Sequence, residues 1–176
     1  MCSRHLEWFV WLGILLVTGS CAPDLKDLKE VPLDMRWQIS IPASMNPVDA
    51  YPKAVLAYAD RRLPLFLMIR TDSLPALQDR FPRAGLQDHY ESHLLHLQEE
   101  MEKLENQMPD TVQIAGMQGL QGSWEADFKR DRVYCQLTLL QSQTSLYQVF
   151  CWTTTEQQAK LAPIMAQMSA SFHPRN

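Results

Sequence analysis

The amino-acid sequence predicts one domain of the α+β class, with an antiparallel sheet, a long central helix and a C-terminal helix. Two patterns carry this prediction. Apolar and polar residues alternate in short segments bounded by turn residues, which is typical of strands. Elsewhere apolar residues recur at intervals of three and four, which is typical of helices with one buried face. A length of 176 residues with 46% apolar content suits a single globular domain.

Three strands are predicted in the first half of the domain. Residues 35–41 alternate apolar and polar side chains, and Pro42 ends this strand. Two further apolar runs, 54–59 and 65–71, are separated by a polar turn that contains Pro64. The two runs therefore predict a hairpin.

A long helix is predicted over residues 86–108. Its apolar residues form one stripe: Leu86, Tyr90, Leu94, Leu97, Met101, Leu104 and Met108. The stripe lasts only about three heptads and strand-like sequence flanks it, so docking on a sheet is favoured over a coiled coil.

Four strands and a terminal helix are predicted after the long helix. The strands are expected at 111–116, 120–128, 132–140 and 146–153, which indicates an antiparallel meander. Helical spacing returns over residues 155–171. Pro163 should kink this helix or delay its start.

The first twenty residues have the form of an export signal. Arg4 and His5 precede an apolar run over residues 8–17, and small and polar residues follow. Ten helical residues rise about 15 Å, roughly half of a bilayer's hydrocarbon thickness, so the run is too short for a comfortable transmembrane span. We therefore expect residues 1–20 to be cleaved as a signal peptide.

The segment Val-Thr-Gly-Ser-Cys at 17–21 resembles a bacterial lipobox. This resemblance implies that Cys21 receives a diacylglyceryl group and becomes the first residue after cleavage. Thr18 stands where Leu is commonest, so simple secretion after Ser20 is the alternative. Ala22, rather than Asp, resembles the arrangement in lipoproteins that are sent to the outer membrane.

The predicted organisation is a signal peptide at 1–20, a lipidated Cys and tether at 21–34, and a single α+β domain at 35–176. The tether is charged and bracketed by prolines, which suits a short linker between lipid and domain. The expected location is the bacterial cell envelope, lipid-anchored in the outer membrane and facing the periplasm.

Two cysteines remain for a disulfide, because Cys2 leaves with the signal and Cys21 carries lipid. In an oxidising compartment Cys135 and Cys151 predict a bridge. If the last two strands pair so that the numbers of facing residues add up to 286, the two cysteines face each other across the hairpin. The alternative is two buried free thiols that act as small apolar side chains.

The long helix carries a histidine cluster with metal-like spacing: His89, His93 and His96, with Glu100 continuing the stripe. His89 and His93 are four residues apart and can hold one ion. His89 and His96 are separated by about 10.5 Å of helix rise, which is too far for a shared ion. The local pattern is not H-E-x-x-H, because Glu91 occupies the middle position, so a hydrolytic zinc site is not supported. The alternative is a polar shoulder beside the apolar stripe.

Composition and motifs argue against several function classes. A net charge of −4 and a pI near 5.7 give no electrostatic basis for nucleic-acid binding. The sequence contains neither G-x-G-x-x-G nor G-x-S-x-G, so no nucleotide cofactor and no nucleophile elbow are predicted. The expected partners are the membrane, through the N-terminal lipid, and another envelope protein.

The order of elements resembles that of the PsbP-like and DcrB-like group over residues 35–173. The resemblance also includes a strand that ends in Ile41-Pro42 and a helix that ends in Ser169-Ala170-Ser171-Phe172. It implies an antiparallel sheet of about six to seven strands packed between the long central helix and the C-terminal helix, an α/β/α sandwich.

The resemblance also implies a function, because members of the group are mostly non-enzymatic envelope lipoproteins, assembly factors or chaperones. No catalytic residues carry over from it. We therefore expect a membrane-anchored scaffold or protein-binding module. A metal-binding protein that uses the histidine stripe, or an enzyme whose residues converge from distant segments, is the alternative.

Overall fold

The computed structural model describes residues 27–49, 54–60, 62–104 and 108–175. The predicted signal peptide and Cys21 lie outside the described residues, so cleavage and lipidation stay predictions. In the described ranges, no helix combines the length and the apolar character that a membrane crossing requires.

Strands and helices follow one another in an order close to the predicted one. In chain order the elements are β1 (Leu28–Pro32), β2 (Trp37–Pro42), β3 (Asn46–Pro47), β4 (Leu56–Asp60), β5 (Leu65–Ser73), α1 (Leu74–Arg80), α2 (Leu86–Glu100), β6 (Asp110–Ile114), β7 (Met117–Phe128), β8 (Asp131–Gln141), β9 (Ser145–Thr154), α3 (Gln158–Ala170) and β10 (His173–Pro174).

The strands form two sheets. The larger sheet has seven strands in the order β3-β4-β5-β9-β8-β7-β6, and every neighbouring pair is antiparallel. The smaller sheet has the order β1-β2-β10. The predicted α+β class, with a seven-stranded antiparallel sheet and the long and C-terminal helices, is confirmed.

Both faces of the larger sheet are apolar, and a different helix covers each. Side chains alternate between the faces along a strand, so on β9 Tyr147 and Val149 join a cluster with Leu161 of α3 and with the smaller sheet. Phe150, on the opposite face, joins a cluster with Tyr90 of α2. The sheet therefore lies between α2 on one side and α3 with the smaller sheet on the other.

The predicted disulfide between Cys135 and Cys151 is wrong. In the hairpin of β8 and β9, Cys135 pairs with Trp152 and Gln136 pairs with Cys151, one residue away from the predicted register. Since a shift of one residue exchanges the faces of a strand, Cys135 lies in the α2 cluster and Cys151 in the α3 cluster. Both thiols are buried, and neither forms a disulfide within the described part of the chain.

The turn between β8 and β9 explains the shift in register. Gln141 pairs with Leu146, which leaves four residues between them. The Ser142 hydroxyl accepts hydrogen bonds from the backbone N–H groups of Thr144 (3.3 Å) and Ser145 (3.0 Å). A turn with an even number of residues makes the numbers of facing residues add up to an odd number, whereas the prediction used an even one.

The predicted tether at 21–34 includes residues that belong to the folded domain. Residues 28–32 form β1, which pairs with β2, and the side chains of Val31 and Leu33 are buried. The folded domain therefore begins before residue 35. The prediction took Pro32 as a sign of a linker. A proline is nevertheless compatible with the end of an edge strand, because no hydrogen bond of the ladder is lost there.

Both predicted helices begin or end differently from the prediction. α2 ends at Glu100 rather than at residue 108, because Met101 is extended and Glu102 pairs with Asp127 of β7. Met108, predicted on the buried stripe, is 91% exposed. The C-terminal helix contains Pro163, and a 3₁₀ turn over residues 155–157 precedes its first α-helical residue.

Candidate functional site

An apolar cleft of about 220 Å³ lies between α2 and the larger sheet. We call it the α2 cleft. Its walls come from α2, from the residue after it and from four strands of the sheet. The lining residues are Met68, Arg70, His93, His96, Leu97, Met101, Phe128, Leu137, Gln148, Phe150 and Trp152.

Stacked aromatic rings form the floor of this cleft and continue beneath it. The Phe66 and Trp152 rings lie 5.0 Å apart at an interplanar angle of 6°. Phe150 follows, 5.3 Å from Trp152 and 6.1 Å from Trp124. Aromatic pairs of this kind add about 0.5 to 1.5 kcal/mol each to the burial of the rings, so the floor is a packed apolar surface.

Tyr90 and Gly122 dock α2 on the sheet. Tyr90 is fully buried, and Gly122 of β7 provides the space for its ring, because a Cβ at position 122 would overlap the Tyr90 hydroxyl. Among the described residues this hydroxyl has no hydrogen-bond partner. Burial raises the pKa of Tyr90 to about 12.

The three histidines of the predicted stripe lie in three different environments. His89 is buried, His93 lines the cleft, and His96 is exposed with Nδ1 3.8 Å from Glu99 Oε2. Burial lowers the pKa of His93 to about 4; Asp72 opposes this shift, and Arg70 adds to it. His93 is therefore neutral at neutral pH.

The predicted metal pair of His89 and His93 finds no further ligands in the described part of the chain. No group of three or more His, Cys, Asp or Glu side chains lies close enough there to hold an ion. Glu100 is the last residue of α2, and its side chain is outside what the structure describes. The metal pair and the alternative of a polar shoulder beside the apolar stripe both stay predictions.

Arg70 is a charged residue of the cleft that the sequence did not point to. It is partly buried, and it forms no hydrogen bond or ion pair with any of the described residues. On the same strand Asp72 already accepts a hydrogen bond from the Gln148 side chain. The apolar cleft therefore carries in its wall a cation that no described residue pairs with.

A second depression, of about 540 Å³ beside β3 and β4, is a weaker candidate. Its carboxylate, Asp60, accepts backbone hydrogen bonds from Arg62 (2.9 Å) and Leu63 (3.1 Å). Burial tends to raise the pKa of Asp60, but hydrogen bonds from Ser44 and from this turn outweigh burial and lower it. Asp60 thus stabilises a turn, which accounts for its burial.

A third depression, of about 590 Å³, lies away from β3 and β4, beside the turn between β6 and β7. It is lined by the ends of β7 and β8 and by turn residues, including Ala115, Gly116 and Gln143. Neither of the larger depressions has the aromatic floor of the α2 cleft, which we therefore take as the candidate site.

No sequence-family model matches the chain, and no curated protein matches its sequence significantly. Solved structures do match its fold. The solution structure of cyanobacterial PsbP, CyanoP, from Synechocystis sp. PCC 6803 has a TM-score of 0.63 at 13% identity, covering 90% of this chain and 99% of CyanoP.

Two further structures have the same fold. LpqN of Mycobacterium tuberculosis, which is involved in cell envelope biogenesis, has a TM-score of 0.53 at 12% identity and covers 85% of this chain and 92% of its own. PA94 of Pseudomonas aeruginosa, a protein of unknown function, has a TM-score of 0.53 at 12% identity. The match covers 85% of this chain and 99% of PA94. The chain therefore has a PsbP-like fold, as its element order predicted. At these identities the likeness concerns the fold alone.

Proposed function

We propose that this protein is a lipid-anchored, non-enzymatic scaffold or assembly module of the bacterial envelope, and that it binds another envelope protein through the α2 cleft. The cleft with its aromatic floor is the observation that carries the proposal. Its volume, about 220 Å³, is below the range of about 300 to 1,000 Å³ that is usual for small-molecule sites. One or two large apolar side chains fill such a space, which is how anchor residues are buried at protein interfaces.

The groups around the cleft support binding rather than catalysis. Its lining includes no serine, cysteine or carboxylate among the described residues. His93 is held neutral by burial, and burial raises the pKa of the Cys135 thiol, on the same face of the sheet, to about 12. A thiol with so high a pKa is a poor nucleophile.

The N-terminal segment supports a location outside the cytoplasm. The lipobox-like sequence at 17–21 and the charged linker after it provide an anchor at Cys21, and Ala22 favours the outer membrane over the inner one. The fold shared with LpqN, a protein of cell envelope biogenesis, agrees with this location.

Site-specific photocrosslinking in intact cells tests the proposed binding. A diazirine amino acid at position 97 places the reactive group in the cleft, whereas one at position 95 lies on the exposed side of the same helix, where Leu95 is 63% exposed. We expect a discrete protein adduct from position 97 and none of that mass from position 95. If position 97 gives no protein adduct, or both positions give the same adducts, the cleft is not the binding site.

A further inference from the structure

We propose that the α2 cleft selects an extended partner segment in which an acidic residue lies two positions from a large apolar residue, and that Arg70 is the residue that selects it. This inference rests on the proposed function, because it names the chemistry of the segment that the cleft binds.

Because β5 pairs with β9, the side chains on the cleft floor change from aromatic at one end to charged and polar at the other. Three successive cross-strand pairs share the cleft face: Phe66 with Trp152, Met68 with Phe150, and Arg70 with Gln148. Alternate residues of a strand are about 6.8 Å apart. A group that fills the floor at the level of Met68 and Phe150 therefore lies about 7 Å along the strand from the level of the Arg70 backbone, roughly the span of two residues of an extended peptide.

Arg70 is the cation of the cleft lining, and it forms no hydrogen bond or ion pair with any described residue. The Asp72 carboxylate, two residues along the same strand, keeps its charge but is outside the lining, and it is hydrogen-bonded to the Gln148 amide. A purely apolar occupant would cover Arg70 and remove its water without supplying an acceptor, which is costly for a charged group. A carboxylate offsets that cost, because guanidinium donates two parallel hydrogen bonds to it.

Fluorescence anisotropy with the full-length protein in nanodiscs tests this selection. The two probes are the fluorescein-labelled peptides Gly-Ser-Phe-Leu-Glu-Ser-Gly-amide and its isosteric neutral counterpart with Gln in place of Glu. We expect the acidic peptide to bind at least about fivefold more tightly, the size of a partly screened charge-assisted contact. The difference should shrink in high salt.

Four variants assign the effect to the cleft. Arg70→Gln should abolish the preference for Glu over Gln. Arg70→Lys should keep part of it, because Lys keeps the charge but lacks the planar guanidinium that donates two parallel hydrogen bonds. The matched control is Arg62→Gln, which lies in the separate depression beside β4 and should leave the preference unchanged. Leu97→Asp, which places a charge in the cleft wall, should weaken the binding of both peptides.

The outcomes separate this inference from the proposed function. Equal binding of the two peptides to the wild type, weakened by Leu97→Asp, would overturn acidic selection and leave the cleft as an apolar binding site. Absence of binding by either peptide would contradict both. If octanoate displaced the labelled peptide at lower concentration than the unlabelled acidic peptide does, the ligand would be a fatty acid and the peptide proposal would be overturned.

Discussion

At the scale of single residues, the contact between Gly122 and Tyr90 holds α2 on the sheet. Gly122→Ala places a methyl group against the Tyr90 hydroxyl, and overpacking of this kind costs about 1 to 3 kcal/mol of unfolding free energy. Tyr90→Phe removes a buried hydroxyl that lacks a partner among the described residues, so it should be neutral or stabilising. The double variant should therefore recover part of the stability that Gly122→Ala loses. Urea denaturation measures the unfolding free energy of the two single variants and of the double variant.

Gly85→Ala is the matched control for this series, because its Cβ would meet Asp88 Oδ2 at an ordinary 3.7 Å. Its cost should be no more than that of a weaker helix N-cap, about 1 kcal/mol. A Gly122→Ala protein as stable as the wild type would show that Tyr90 does not dock as described.

His93 makes stability depend on pH in a defined window. Its pKa is about 4 in the folded protein, where burial disfavours the charged ring, and 6.5 is its ordinary value. As the pH falls from 6.5 to 4, the His93 ring is protonated in the unfolded chain but stays neutral in the folded protein. The unfolding free energy therefore falls in that window. His93→Gln should lose less stability than the wild type between pH 7 and 4, measured by denaturation at each pH.

Comparison with the wild type is needed because carboxylates such as Asp60 also lose stabilising interactions in acid. His96→Gln, which changes a side chain that is 78% exposed, is the matched control and should follow the wild-type profile. Parallel profiles for His93→Gln and the wild type would contradict the burial of a neutral ring in the cleft.

At the scale of secondary-structure elements, the register of β8 and β9 decides the state of the thiols. Burial raises the pKa of both Cys135 and Cys151, and the sheet separates them. We expect iodoacetamide to modify both only after unfolding, and reductant to leave the unfolding midpoint unchanged. Peptide mapping without reduction checks this expectation, and a linked Cys135–Cys151 peptide would contradict the register.

The elements that the sequence predicted well are those with a long, regular pattern. The central strands were predicted to within a few residues, because each buries at least one apolar face, and α2 was predicted because Tyr90 and Leu94 repeat at helical spacing. Errors arose where a local contact overrides the pattern. Ser142 sets the turn that moves the register, and Glu102 pairs with β7 and ends the helical stripe early.

The candidate site itself was beyond prediction from one sequence. Its residues come from β5, α2, the residue after α2, β7, β8 and β9, and they meet only through strand pairing and helix docking. The alternation of Phe66, Met68 and Arg70 was visible and marks one face that turns from apolar to charged. Nothing in the sequence showed that Arg70 lies in the cleft without a partner among the described residues.

At the scale of the whole molecule, the proposed anchor predicts how the protein fractionates. The native protein should sediment with membranes and begin at Cys21 with added acyl mass. Cys21→Ser should remove the acceptor of the lipid, so the protein no longer fractionates as a mature lipoprotein. Intact mass spectrometry and fractionation provide the test, and a native protein that retains Met1, or begins at Cys21 without acyl groups, would contradict the anchor.

The most direct test of the central claim, that the α2 cleft receives a segment of another envelope protein, is the sequence of the peptide crosslinked to position 97 in intact cells. The account predicts one segment of an envelope protein, with an Asp or Glu two positions from a large apolar residue, that is absent from the adducts of position 95. A phospholipid adduct alone, or a collection of unrelated peptides shared with position 95, would contradict it.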